Sequence, residues 1–457
     1  MSKERKEIMD TSQKSSIEWI LRPFQEFTRL EASAGILLFL CTVVALVWAN
    51  SPWSDGYFHL WQTKLQVGIG GFLLDKPLIL WINDGLMAMF FFVVGLEIKR
   101  EILVGELSSP KQATLPIAAA IGGMVTPAII YLVFNGGKAG ASGWGIPMAT
   151  DIAFALGALA ILGKRVPVFL KIFLTSVAIV DDIGAVLVIA FFYTSQIYWS
   201  NLIVGAAFLA ALLATNRAGV RNPLVYAALG IGGLWLAFLM SGVHATIAGV
   251  LAAMTIPARA RIGKEEFLER GRNLLDEFKD VGGGGSILTS KQQLEVVEAI
   301  ESASKLAQTP LQRLEHALHP WVIFGVMPVF ALANAGVNLG GGLAALFTNP
   351  VALGILFGLV LGKQVGVTLF SWFAVWIGIA ILPSGVSWLK IYGVGWLAGI
   401  GFTMSLFIAG LAFEDDEILS VAKLGILTAS LIAGVGGWVI LRNTGKENKR
   451  PPGLVEN

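Results

Sequence analysis

Asp181 and Asp182 stand side by side within Leu174 to Ala185, with apolar sequence on both flanks. A helix turns about 100° per residue, so the two carboxylates cannot face one target together. One can face an ion pathway while the other faces a neighbouring helix. Two adjacent negative charges in a medium of low dielectric repel each other. Such a pair can hold protons and release them when a cation arrives. Few other ionisable side chains lie so deep in apolar sequence: Asp84, Asp151, Lys363 and Lys423. Charges in that setting are costly and mark pathways or relays by default. The plainer readings are a helix cap or a buried ion pair for the acids, and a stem that reaches the interface for Lys363.

Asp151 belongs to Gly145-Ile-Pro-Met-Ala-Thr-Asp, where Pro147 can break a helix and Thr150 can hydrogen-bond locally. A matching irregularity lies at Ala398-Gly-Ile-Gly-Phe-Thr-Met-Ser, with Gly399, Gly401, Thr403 and Ser405. Two interrupted apolar stretches in corresponding halves point to a binding site at mid-membrane. Opposed helix ends carry partial charges; Asp151 can offset the positive N-terminal ends and Lys363 the negative C-terminal ends. Lys363 is too deep to reach water easily, so a buried carboxylate partner is expected. Asp84 either lines the way in or packs as an acid near a helix boundary. Glu97, Lys99, Arg100 and Glu101 follow one apolar stretch, and Glu315, His316 and His319 precede another. Acids, bases and histidines gathered at one membrane face can respond to pH near neutrality, and ordinary surface pairing accounts for the same spacing. His244 sits at a helix end. Gly393, Gly395 and Gly399 imitate a dinucleotide loop but lie inside an apolar stretch, so that motif is discarded.

The elements that position these residues follow from composition. The 457-residue chain is 55% hydrophobic and 14% charged, with mean hydropathy +0.72; soluble domains carry about 25% charged residues. A net charge of +2 gives no sign of nucleic-acid binding, and the one cysteine, Cys41, can form no internal disulfide. About twenty apolar residues span a bilayer. Twelve stretches qualify, near 33–50, 77–98, 112–134, 144–163, 167–193, 201–216, 222–240, 244–257, 317–336, 350–376, 391–412 and 420–441. Alternating the loops between them leaves only Lys64, Lys76 and Lys138 on one side and 28 of the 33 Lys and Arg on the other. By the positive-inside rule, both termini are expected in the cytoplasm. Residues 1–32 read as a cytoplasmic N-terminal segment, amphipathic from Ser15, and 443–457 as a cytoplasmic tail. Residues 57–76 suit either a small external β-hairpin or an irregular loop. Residues 258–314 form a long cytoplasmic loop with two short helices, joined by the flexible Gly282–Gly285 link and a capping box at Ser290.

Seven stretches, in order, resemble the bacterial NhaA-type sodium/proton antiporters: Leu80 to Phe91, Val94 to Glu101, Ala149 to Gly157, Ala178 to Ala185, Ser241 to Thr246, Arg313 to Trp321 and Gly399 to Ser405. The rule about interrupted spans was itself drawn in part from this family. The resemblance covers roughly residues 30–442. It implies an all-α integral membrane protein of about twelve transmembrane helices, with inverted repeats and two interrupted helices crossing at mid-membrane. By similarity, Asp182 is the main sodium ligand, with Asp181 the second carboxylate of the metal site. Asp181 would pair with Lys363 and exchange protons with it, and Asp151 and Thr150 would sit at the crossing. Asp84, the Glu97, Arg100 and Glu101 cluster, His244 and Glu315 match positions linked to structure or pH response. The hairpin at 57–76 suits a homodimer contact. The 258–314 insertion and the extended N-terminus depart from the compact family pattern.

The expected activity is electrogenic exchange of cytoplasmic Na+ (or Li+) for external protons, for pH and sodium homeostasis, in the bacterial inner membrane. It needs no cofactor and no enzymatic step. Two other classes also use acids buried in a membrane. An intramembrane aspartyl protease would use Asp151 and Asp182 as facing acids; the Gly-x-Gly-Asp signature expected of it is missing, and Lys363 would have no role. A passive cation channel would carry single-channel currents without proton coupling.

Overall fold

Apolar helices dominate the structure, a computed structural model that describes residues 31–69, 72–194, 196–280, 291–339, 344–382 and 386–444. The chain begins with α1 (Glu31–Ala49) and a short α2 (Ser54–Gln62). Strands β1 (Lys64–Ile69) and β2 (Phe72–Pro77) follow, paired antiparallel with Lys64 opposite Pro77 and Ile69 opposite Phe72. Next come α3 (Leu78–Val104), α4 (Pro110–Asn135), a 3-10 helix (Ala139–Met148), α5 (Ile152–Ile161), α6 (Val168–Phe192), α7 (Trp199–Arg217), α8 (Pro223–Leu239) and α9 (Ala245–Thr255). Two amphipathic helices, α10 (Lys264–Asp280) and α11 (Lys291–Ala307), lie in the long loop. The chain then runs through α12 (Pro310–Asn334), α13 (Pro350–Trp376), α14 (Trp388–Ala398), α15 (Phe402–Ala412) and α16 (Asp416–Thr444).

Each of the twelve expected apolar stretches is helical over most of its length. Among the described residues, seven helices are long and apolar enough to cross a membrane: α3, α4, α6, α7, α12, α13 and α16. Counting each bent pair as one span raises the number to ten, and α8 and α9 are shorter. The architecture is that of a multi-pass membrane protein.

Three details differ from the sequence expectation. Residues 57–62 belong to α2, so the hairpin is confined to 64–77 rather than 57–76. Tyr57 and Trp61, four residues apart, share one buried helical face, and the Tyr57 hydroxyl donates to Leu332 O at 2.8 Å. The break before α2 bends the chain by 112°. Second, α3 runs on to Val104, which places Glu97, Lys99, Arg100 and Glu101 inside a helix rather than after one. Third, α12 starts at Pro310, so the loop ends before 314, and Glu315, His316 and His319 lie in the opening turns of the helix. Thr309 caps that start by accepting from Gln312 N at 3.1 Å, and proline suits the first helical position. The segment 1–30, Gly70 and Gly71, the Gly282–Gly285 link with Ser290, and the tail beyond Thr444 lie outside the described residues.

Two packing features position the site. The 3-10 helix meets α5 at 44°, and α14 meets α15 at 47°; the two bends touch, with Asp151 N donating to Ile400 O at 2.6 Å. Helices α4 and α13 approach at Gly122 and Gly366, where a Cβ on Gly122 would come within 2.2 Å of Gly366 O. Only glycine tolerates that approach, and it brings the α13 backbone, with Lys363, against α4.

Candidate ion-binding site

The site is assembled from α6, α13 and the two bends. Asp181 and Asp182 are 1% and 2% exposed and Lys363 is fully buried. Lys363 Nζ lies 2.6 Å from Asp181 Oδ2, which supplies the carboxylate that so deep a lysine needs. Lys363 Nζ also donates to Met148 O, the last carbonyl of the 3-10 helix. A π-helical turn, Gly358–Gly362, immediately precedes Lys363; such turns are common beside functional residues.

Thr150 Oγ1 lies 2.6 Å from Asp181 Oδ2 and 2.8 Å from Ala398 O, at the C-terminal end of α14. A hydroxyl has one hydrogen to donate, so Thr150 serves one of these oxygens at a time while Asp181 is ionised. Asp151 holds the opposite ends. Its Oδ1 accepts from Phe154 N at 3.1 Å, capping α5. Its Oδ2 accepts from Thr403 N at 3.0 Å and from the Thr403 hydroxyl, at the start of α15. The carboxylate therefore meets two positive helix ends, while the Lys363 ammonium and Thr150 meet two negative ones. Asp151 spends both oxygens on this task, which does not suit one half of a facing acid pair for peptide hydrolysis.

Asp182 differs from its neighbours. Among the described residues, no hydrogen-bond donor reaches the buried Oδ1 of Asp182 or the Oδ1 of Asp181. Nor do three His, Cys, Asp or Glu side chains converge as a metal cage. A hard cation held here would take its oxygens from these two carboxylates, nearby carbonyl and hydroxyl groups, and water.

The remaining sequence candidates divide into three places. Asp84 lies in a π-helical turn of α3, with Oδ2 3.2 Å from Lys76 Nζ on β2 and its carbonyl accepting from Trp235 Nε1 at 3.0 Å. It ties the hairpin to α3 and α8 rather than joining the central site. At the other end of α3, Arg100 pairs with Glu315 and, at 3.0 Å, with Glu101. Glu97 Oε1 lies 3.6 Å from His319 Nε2, and His316 is exposed. His244 does not join this group. It precedes the first turn of α9, and its Nε2 lies 2.6 Å from Tyr193 O. The group's Lys99 instead caps the far end of α9, donating to Met254 O at 2.6 Å and Ile256 O at 2.5 Å.

Thr403 and Lys99 carry more of the geometry than their sequence positions suggest. Thr403 follows the Gly399–Gly401 break directly, which is a readable signal; nothing local marks Lys99 as a cap for a helix some 150 residues away in the chain.

The family model described as "Na+/H+ antiporter 1" matches residues 25–441. The "Na(+)/H(+) antiporter NhaA" of Oleidesulfovibrio alaskensis is 58% identical over 427 residues, covering 93% of this chain and 95% of that protein. The like-named protein of Koribacter versatilis is 49% identical, covering 95% of each. "Na(+)/H(+) antiporter NhaA 2" of Syntrophotalea carbinolica is 51% identical, covering 93% of this chain and 97% of its own length. A match of that extent, on a chain whose bent helices and buried charges meet at one point, means that the protein belongs to the Na+/H+ antiporter 1 family.

Proposed function

We propose that this protein is an electrogenic antiporter that expels Na+ or Li+ in exchange for external protons, with Asp182 as the principal cation ligand. The observation that carries this reading is the contrast between two adjacent acids. Lys363 and Thr150 hold Asp181 through its Oδ2, whereas among the described residues no hydrogen bond holds Asp182, whose buried Oδ1 is as bare as that of Asp181. A buried carboxylate oxygen without a donor needs either a proton or a cation. The printed names of the relatives, which cover nearly their whole length, support the same exchange.

The cycle follows from competition. With protons in the site, Asp182 is neutral and Lys363 stays charged against Asp181. Sodium arriving from the cytoplasm takes Asp182 and draws on Asp181, which weakens the hold of Asp181 on the Lys363 ammonium. Two protons, one from Asp182 and one from Lys363, then leave for one sodium bound, so each cycle moves net charge. The opposed helix ends around Asp151 and Thr150 form a crossing whose two arrangements alternate access between the membrane faces.

In this reading the chain makes twelve spans with inverted repeats, and two interrupted helices cross at mid-membrane. Both termini and the 258–314 insertion lie in the cytoplasm of a bacterial cell, and the protein sits in the inner membrane. The hairpin joins two copies, and Glu97, Arg100, Glu101, Glu315 and His316 tune activity to pH. The deciding experiment is sodium-dependent proton movement in proteoliposomes, wild type beside Asp182→Asn. Near-complete loss in the variant supports the assignment. Retained exchange places the cation elsewhere.

A further inference from the structure

Helices α1, α5 and α16 part to leave a groove of about 740 Å³ beside the crossing. Ile400 and Phe402, 4% and 5% exposed, lie at its bottom, and the Phe402 ring meets that of Phe154 edge to face at 4.5 Å between centroids. The hydroxyls that line the groove are engaged with backbone. Thr42 Oγ1 donates to Leu38 O and Thr428 Oγ1 to Leu424 O, each at 2.8 Å, and Ser430 Oγ accepts from Phe402 N at 3.1 Å. The groove is therefore dry in character and unsuited to an ion or a file of water, which needs polar partners.

Its length and its end narrow the occupant. From Gly35 to Leu46, both in its α1 wall, a helix rises about 16 Å; half the hydrocarbon core of a bilayer is about 15 Å. Gly35, near the start of α1, meets Gly157, near the end of α5, where an added Cβ would lie 3.4 Å from Gly157 Cα. On that same membrane face Trp438 lines the groove near the end of α16, and the exposed Arg442 holds its guanidinium 4.8 Å above the Trp438 ring. Tryptophan favours the headgroup level, and a guanidinium offers a planar fork that matches phosphate. Glu31, Lys164, Arg165 and Arg442 bracket the three helices there, three positive charges to one negative.

We propose that the groove is a binding site for one anionic phospholipid, with its phosphate at Arg442 and one acyl chain laid along α1 over Ile400 and Phe402. Basic groups beside clefts between membrane helices are general sites for anionic headgroups, and a filled groove regains the dispersion contacts that a void forfeits. The chain lies against the residues that close the crossing: Ile400 O accepts from Asp151 N, and Phe402 opens α15. Lipid thus bears on the bend between α14 and α15 from outside, without entering the polar site.

The test titrates the delipidated full chain in detergent with dioleoyl phosphatidylglycerol or dioleoyl phosphatidylcholine and counts bound lipid by native mass spectrometry. Wild type should hold one phosphatidylglycerol per chain more tightly than phosphatidylcholine. Arg442→Gln should weaken phosphatidylglycerol about fivefold, the worth of one cationic side chain beside an anionic lipid, and leave phosphatidylcholine unchanged; Arg442→Lys should recover most of the loss. Gly434→Leu should remove both lipids. A Cβ at Gly434 would meet Ile400 Cδ1 at 3.5 Å, ordinary contact, so the leucine fills the groove without displacing backbone. Ala158→Leu fills it from the α5 wall. A phosphatidylglycerol with a photoreactive group at its chain end, cross-linked to wild type, should label α1 near Leu46 and α16 near Leu427. Equal affinity of wild type for the two lipids overturns the proposal, as does binding that survives both leucine variants. Labels confined to other helices overturn it too, as does exclusion of lipid by a second copy seated on the groove.

Discussion

Lys363 and Asp181 form a 2.6 Å ion pair in which neither side chain has any exposed surface. Such a pair is a poor source of stability, because removing two charges from water costs as much as their attraction returns. Its energetics are asymmetric, however. Removing one partner strands the other charge, at about 3–5 kcal/mol. Lys363→Met should therefore lower unfolding stability by about that amount, and Asp181→Asn on top of it should restore most of the loss. Thermal denaturation in detergent checks the stability, and proteoliposome flux checks activity, which the double variant should not regain. A double variant as unstable as the single one would contradict the ion pair.

Asp151 acts at two helix starts at once, through Phe154 N and Thr403 N. Loss of a capping side chain costs about 0.5–2 kcal/mol per helix. Asp151→Ala should then destabilise by about 1–4 kcal/mol. Thr403→Val removes only the hydroxyl contact and leaves the backbone bond, so it should cost less. Denaturation midpoints of the two variants give the order, and the reverse order would contradict the shared cap.

A cation that binds the folded protein alone must stabilise it, by about 2.7 kcal/mol at a hundred times its dissociation constant. Sodium should raise the melting temperature of the wild type and leave Asp182→Asn unmoved. Because protons compete for the same oxygens, the sodium-induced shift should be larger in alkaline than in acidic buffer. A shift independent of pH would separate the cation from the carboxylates.

The apolar stretches, the breaks at Pro147 and Gly399–Gly401, and the buried charges were legible because each is a local signal: length, a helix breaker, a charge in lipid. The need of Lys363 for a carboxylate was legible too, but Asp181 as that partner rested on resemblance, since pairing across 182 residues is written in packing. The α1–α2 bend leaves little local signal because α2 is short and only weakly apolar; its helix depends on burying Tyr57 and Trp61. Arg313, Glu315 and His316 interrupt the apolar run, so the apolar pattern begins later than α12 itself, which Thr309-Pro310 opens. The role of Lys99 as a cap is written only in the packing of distant helices.

The hairpin gives the last prediction. A two-stranded sheet on its own is marginally stable, and this one leaves Leu65, Val67 and Leu73 at 45%, 50% and 60% exposed. Trp81 Nε1 already occupies the Leu65 carbonyl of β1 at 3.1 Å, but strand edges in general invite another strand. Two copies joined through the hairpin would form a larger sheet and cover those side chains. Proline cannot donate to a strand ladder, so Val67→Pro should convert a dimer to a monomer in native mass spectrometry. Because the ion pair and the capped helix ends lie within one chain, sodium exchange per chain should persist. Loss of exchange together with the dimer would mean that the contact between copies shapes the transport site as well.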